Sequence, residues 1–122
     1  MNTSVFEALR ATSRELAVPL RIRGACMTPS LGDGAPVQVR ARRFYFPGDV
    51  VVFRTNAGVL AAHRMLGWRR AAIVTKGDGC EIHDAPVAPH AIVGAVEMRV
   101  PVRDRIRAFA QYARIAVRRL AR

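Results

Sequence analysis

A mainly β domain with one helix at each end is the architecture that this 122-residue sequence predicts. Three observations lead there. Short alternating or continuous apolar stretches recur between turn formers from Leu20 to Val100, both ends switch to helical periodicity, and the length suits one core but not two. We read a single domain over 1–122, with an N-terminal helix in 1–18, a β core in 19–101 and a basic helix in 102–122. Apolar residues make up 51% and no repeat or low-complexity tract interrupts them, which fits a folded chain.

Near the start, the stretch SVFE from Ser4 to Glu7 has the spacing of a capping box. Phe6, Leu9 and Leu16 share one face of a helix that runs to about Leu16 and is stopped by Pro19. Leu20 and Ile22 then alternate with Arg21 and Arg23, the period of a half-buried strand, and the chain arrives at Gly24 and Cys26. LGDGAP from Leu31 is a turn, Val37 and Val39 alternate in the next strand, and FPGD at 46–49 is a second turn. VVVF at 50–53 predicts a buried strand, and Asn56 to Gly58 a hairpin connection into VLAAHRML. AAIVTKGD is one more strand, GDGCEIHDAPVAPH a polar loop, and AIVGAVEMRV a last strand that Pro101 ends. From Arg103 the period changes: Ile106, Phe109, Ala110, Ala113, Val117 and Leu120 fall on one helix face, with most arginines off it.

The net charge is +11, almost wholly from arginine, since Lys76 is the sole lysine. Seven arginines against Asp104 place more than half of that excess in 103–122. Such a tail suits an anionic lipid surface, nucleic acid or an acidic partner, or it packs its apolar stripe on the β domain with its arginines in water. No run approaches the ~20 apolar residues of a membrane span, and no signal-peptide pattern opens the chain. The expectation is a cytoplasmic protein with reduced thiols, in which Cys26 and Cys80 pair only if the fold brings them together.

A thiol becomes a useful nucleophile where a base or a positive charge favours the thiolate, so Cys26 needs a histidine. His63, His83 and His90 are available, and spacing does not choose between them. His63 differs in interrupting an apolar strand, where an imidazole without a hydrogen bond would cost free energy; the others sit in loops open to water. Asp33 and Asp49 lie in turn motifs and receive no chemistry, and Lys76 is read as structural. Cys80 and His83, with Cys26 and His63, give four potential zinc ligands, but without the usual paired spacing; no cofactor or metal is assigned.

GACMTPSL (24–31) resembles the nucleophile box of type I signal peptidases and the related LexA-like self-cleaving proteases, with cysteine in place of serine. PGDVVVF, AAHRML and TKGDGCEIHD follow in that family's order, so the resemblance covers about Ile22 to Val96. It implies a signal-peptidase-like β fold for the catalytic core. His63, followed by Arg64, matches the histidine base of the endoplasmic-reticulum and archaeal branch. That branch has two aspartates, which fall on Asp78 and Asp84. Asp84 is the preferred orienting acid, with Asp78 serving instead or bracing the loop.

The resemblance further implies a cysteine endopeptidase that cleaves a leader or signal segment from a peptide or preprotein, with small side chains before the scissile bond. Gly24, Ala25, Met27 and Pro29 surround the nucleophile and are the expected substrate-contacting positions, Pro29 shaping the turn and Met27 lining the groove or packing beneath it. Some members add a hydroxyl two positions before the nucleophile, where this chain has Gly24. The competing expectation is a degenerate peptidase fold that binds peptides or serves as a scaffold. Peripheral contact of 103–122 with an anionic membrane, at the inner face, is the expected accessory interaction; nucleic acid is not an expected partner. No DNA-binding segment precedes Cys26, which argues against a LexA-type repressor.

Overall fold

The computed structural model describes residues 1–24, 26–27 and 30–120. Within them, helix α1 (Thr3–Glu15) leads into β1 (Val18–Ile22), β2 (Ala35–Arg40), β3 (Val50–Arg54), β4 (Leu60–Arg69), β5 (Ala72–Lys76), a 3-10 turn (Pro89–Ala91), β6 (Ile92–Val96) and helix α2 (Val102–Leu120). The six strands of the described residues form one antiparallel sheet in the order β1-β2-β6-β3-β4-β5. The two end helices are as the sequence indicates, but they make the fold mixed α/β rather than mainly β, with 30% helix against 32% strand.

β3 sits inside the sheet between β4 and β6, and both of its faces are covered. Val50 and Val52 join Phe6, Ile22, Met27 and Val39 in one cluster; Val51 and Phe53 join Met65, Ile73, Val87 and Ile92 in another. This two-sided burial explains why VVVF is continuously apolar where β1 and β2 alternate. The second cluster is closed by the segment read as a polar loop: Val87 pairs as an isolated bridge with Ile73 and is buried.

The helix starts one motif earlier than the capping box suggests. Asn2 is the N-cap, its side chain accepting from the Ser4 and Val5 amides, and Ser4 lies inside α1. Leu16 is the C-cap and is 54% exposed, whereas Ser13 is wholly buried. The Ser13 hydroxyl donates to the carbonyl of Val93 at 2.8 Å and Arg10 Nε to that of Ile92 at 2.9 Å, so polar bonds along with Phe6 and Leu9 seat α1 on β6. Pro19 is part of edge strand β1, opposite Gln38, a position that tolerates its missing N–H.

α2 reverses the orientation its apolar stripe suggests. Its docked face is Ala108, Tyr112 and Ile115, packed on Leu66 of β4 and Val74 of β5, while Ile106, Phe109, Val117 and Leu120 are exposed. Two polar ties set this choice. Arg105 donates to the Pro47 carbonyl and to buried Asp49, both at 3.1 Å, and the Tyr112 hydroxyl donates to the Trp68 carbonyl at 2.8 Å. A Cβ at Gly67 would collide with the Tyr112 ring, so the helix lies this close only because position 67 lacks a side chain. Gly67→Ala is therefore expected to lower stability by about 1–3 kcal/mol, read as a reduced urea midpoint by Trp68 fluorescence; an unchanged midpoint would contradict this account of the docking.

Candidate active site

His63 and Arg64 are neighbours on β4, and the strand pleat sends them to opposite faces. One face carries His63. In the β4–β5 register Met65 lies opposite Thr75, which makes His63 the diagonal neighbour of Thr75 on that face. Asp84 returns to the same place because its backbone N–H donates to the Thr75 carbonyl at 2.8 Å. His63 Nδ1 then meets Asp84 Oδ2 at 2.5 Å, and that oxygen also accepts from the Thr75 hydroxyl at 2.7 Å. Phe53 meets the imidazole edge-on, with ring centroids 5.7 Å apart. With Nδ1 held by the carboxylate, Nε2 is left for a further partner, and the Cys26 thiol is close enough to the ring for the two groups to shift one another's titration.

The other face carries Arg64, which is buried. Its Nε and Nη2 bond both carboxylate oxygens of Asp78, at 3.1 and 2.7 Å, and Nη1 donates to the Gly48 carbonyl at 2.8 Å. Ser30, six residues from the start of the nucleophile box, donates its hydroxyl to Asp78 at 2.7 Å and accepts from Arg64 Nη2 at 3.2 Å. Of the two aspartates weighed above, then, Asp84 is the one on the imidazole, and Asp78 braces the loop that presents Cys26.

The loop that carries Cys26 is fixed from beneath as well. Met27 is 1% exposed and packs into the Phe6 cluster, so of the two places the sequence allowed it, it takes the one beneath the loop. The Cys26 carbonyl accepts from the Gly79 amide at 2.8 Å, and the Met27 carbonyl from the Leu31 amide at 2.8 Å. Gly24 is exposed, and its amide donates to Asp33 at 2.8 Å, which gives Asp33 the turn role expected of it. Ala25 and Pro29 lie outside the described residues. Asp49, also read as a turn residue, is buried and accepts from the Phe46 amide.

The electrostatics follow from these contacts. The hydrogen bond with His63 holds the Cys26 thiol below the ordinary cysteine value; a bond with Cys80 adds to this against a smaller penalty from burial. Burial pulls His63 down, but its bonds to Asp84 and Cys26 outweigh that and raise it. Asp84 is lowered, since His63 and Thr75 overcome its own desolvation, and Asp78 is lowered because Arg64 and Ser30 do the same. Burial raises Cys80. A lowered thiol beside a raised imidazole shifts the balance toward the thiolate–imidazolium pair. Asp84 contributes stability above the ordinary carboxylate range that is lost as pH falls through its lowered value. The His63 contribution is present below the ordinary imidazole value and is lost as pH rises through the raised one.

Sequence reasoning did not single out Thr75, Ser30 or the closeness of Cys80. Thr75 carried a usable signal, a hydroxyl at a buried position of an otherwise apolar strand. His83 and His90 stay in the loop and turn after β5. Among the described residues, no group of three or more His, Cys, Asp or Glu side chains is placed to hold a metal ion. In comparisons with known proteins, no family model matches the chain, and neither does any curated protein.

The arrangement predicts a specific pH profile. Iodoacetamide should alkylate Cys26 at lower pH than free cysteine, with Cys80 reacting only at higher pH. His63→Ala should move the Cys26 profile upward, and Asp84→Asn should move it less. Peptide mass mapping of each thiol against pH checks this, and a Cys26 profile that coincides with free cysteine and ignores His63→Ala contradicts it.

Proposed function

We propose that this protein is a cysteine endopeptidase of signal-peptidase-like fold, with Cys26 as nucleophile, His63 as general base and Asp84 as the acid that orients it. The observation that carries the reading is the chain of contacts from the Cys26 thiol through the imidazole to Asp84, itself held by Thr75. That is the order of groups nucleophilic acyl transfer requires: a thiol beside a base, and a carboxylate that fixes the base's tautomer and stabilises its protonated form.

In the proposed reaction His63 takes the Cys26 proton and the thiolate attacks the scissile carbonyl carbon. Backbone N–H groups at Cys26 and its neighbours hold the oxyanion. The imidazolium then gives its proton to the leaving amine as the C–N bond breaks, which leaves a thioester. Water, deprotonated by His63, attacks that thioester; a carboxylic acid departs and the thiol is restored. Thiols are more acidic than hydroxyls, so an imidazole deprotonates Cys26 more readily than it would a serine in the same place.

The substrate is an extended peptide. Supporting this, a groove of about 370 Å³ opens between β1 and the β3–β4 hairpin, lined by Leu20, Ile22, Val52, Leu60 and Ala62. Its two walls run on in sequence to Gly24 and to His63. Strand β1 is an edge, paired with β2 alone among the described strands, which leaves a row of backbone groups for strand addition. Incubation with a peptide library rich in small residues before the cut tests the reading. Cleavage is expected from the wild type and is expected to fall at least about 10³-fold in Cys26→Ala and in His63→Ala. Equal cleavage by Cys26→Ala and wild type sinks it, and an uncut peptide that nevertheless binds favours the degenerate binding module.

The basic tail is proposed to rest on an anionic membrane surface. No helix of the described residues is long and apolar enough to cross a membrane. Yet Ile106 and Phe109 are exposed, and with Phe46, Pro47 and Arg105 they frame an open apolar depression of about 520 Å³. Arg103, Arg107 and Arg114 are on the same helix, so apolar insertion and attraction to anionic headgroups are available together. Co-sedimentation with phosphatidylserine vesicles is expected at low salt and should weaken as salt rises. The double change Ile106→Asp, Phe109→Asp should cut partitioning by at least about tenfold. Equal partitioning of both proteins, or none by the wild type, removes the surface.

A further inference from the structure

The second cysteine has no part in the acyl-transfer scheme, yet the fold delivers it to the nucleophile. Both thiols are free; Cys26 is exposed and Cys80 partly so. Gly77 is where they converge. A Cβ built there would lie 2.8 Å from Cys80 Sγ, 3.1 Å from Cys26 Cβ and 2.7 Å from the Cys26 carbonyl oxygen. Two backbone bonds hold this geometry: Gly79 N–H to the Cys26 carbonyl at 2.8 Å, and Cys80 N–H to the Gly77 carbonyl at 3.0 Å. The position opposite the imidazole thus has no side chain, and the space is taken by two sulfur-bearing residues 54 apart in sequence.

We propose that Cys80 is the resolving cysteine of Cys26, so that hydroperoxides oxidise the pair to an intramolecular disulfide that caps the nucleophile reversibly. The Cys26 thiolate attacks one peroxide oxygen, the O–O bond breaks, and hydroxide leaves with the electron pair, giving a sulfenic acid. Cys80 sulfur then attacks Cys26 sulfur and the S–O bond breaks. The departing hydroxide takes the Cys80 proton as water. With hydrogen peroxide, two thiols and one oxidant give one disulfide and two waters.

The division of labour suits the two environments. Contact with His63 favours the thiolate at Cys26, the peroxide-reactive form, whereas burial keeps Cys80 protonated to higher pH, so it waits for the sulfenic acid. Cys80 Sγ and Cys26 Cβ both crowd the same point beside Gly77, at 2.8 and 3.1 Å, which places the two side chains close enough for a bond of about 2.05 Å to form between their sulfurs. A disulfide removes the nucleophile and stops further oxidation, and a dithiol reductant restores it. The inference rests on the reading of Cys26 as an activated thiol, but not on any peptide being cleaved.

The full-length, reduced protein is treated with stoichiometric hydrogen peroxide and mapped without reduction. A species two hydrogens lighter, with the Cys26 and Cys80 peptides linked within one chain, is expected. After excess peroxide and then dithiothreitol, the wild type should recover nearly all Cys26 alkylation. Cys80→Ser should recover less than about a tenth, because its sulfenic acid proceeds to sulfinic and sulfonic acids. The wild-type map decides even if that variant misfolds. Oxygenated Cys26 without the internal link, disulfide-bonded dimers, or equal recovery by Cys80→Ser would overturn the inference. Linkage without peptide cleavage defeats the peptidase reading alone, and cleavage without linkage defeats this one alone.

Discussion

The guanidinium of Arg64 joins three segments that lie far apart in the sequence. It reaches Asp78 after β5, Ser30 in the loop that follows Cys26 and the carbonyl of Gly48 in the turn before β3. A buried guanidinium is costly unless every donor finds an acceptor, and removal of one partner from such a pair costs about 3–5 kcal/mol. The cost enforces geometry: only when the Cys26 loop, the β5 exit and the β2–β3 turn are all in place is the charge satisfied. The loop that carries Cys26 is thereby fixed against the strand that carries His63.

That coupling accounts for the two faces of β4. On the side of His63, a short chain of polar groups runs from the thiol to the carboxylate and ends at the buried Thr75 hydroxyl, which spends its donor on Asp84. On the side of Arg64 the polar groups are structural. A strand is an economical carrier for both, because adjacent residues diverge while the backbone between them is pinned on either edge, by β3 and by β5. Two aspartates six apart in one loop are sorted in the same way, one to each basic neighbour.

Helix α2 shows a different balance. It has apolar residues on two sides, and the sheet takes the narrower one, where Ala108 allows close approach to Leu66 and Val74. Arg105 on buried Asp49 and Tyr112 on the Trp68 carbonyl are directional contacts that a hydrophobic stripe does not supply. They fix the rotation of the helix and leave Ile106 and Phe109 beside Phe46 on the outside. The apolar surface so exposed is the one on which the proposed membrane contact rests.

What the sequence determined on its own was local. The two-residue period of Leu20 to Arg23 and of Val37 to Val39, the run VVVF, the turn chemistry of FPGD and Asn56 to Gly58, and the helical period after Pro101 all reappear as elements, since pleat and helix pitch are properties of the backbone alone. The residue types needed for a thiol–imidazole site were legible too, as was the oddity of a histidine in an apolar strand. Tertiary structure decided the rest: Asn2 over Ser4 as N-cap, the docked face of α2, Asp84 over Asp78 on the imidazole, Met27 under the groove, and Cys80 beside Cys26. Apart from the local cap at Asn2, each of these depends on which distant groups arrive opposite one another. Strand register, the path of a loop and the missing side chains at Gly67 and Gly77 set that, and no periodicity within one segment encodes it.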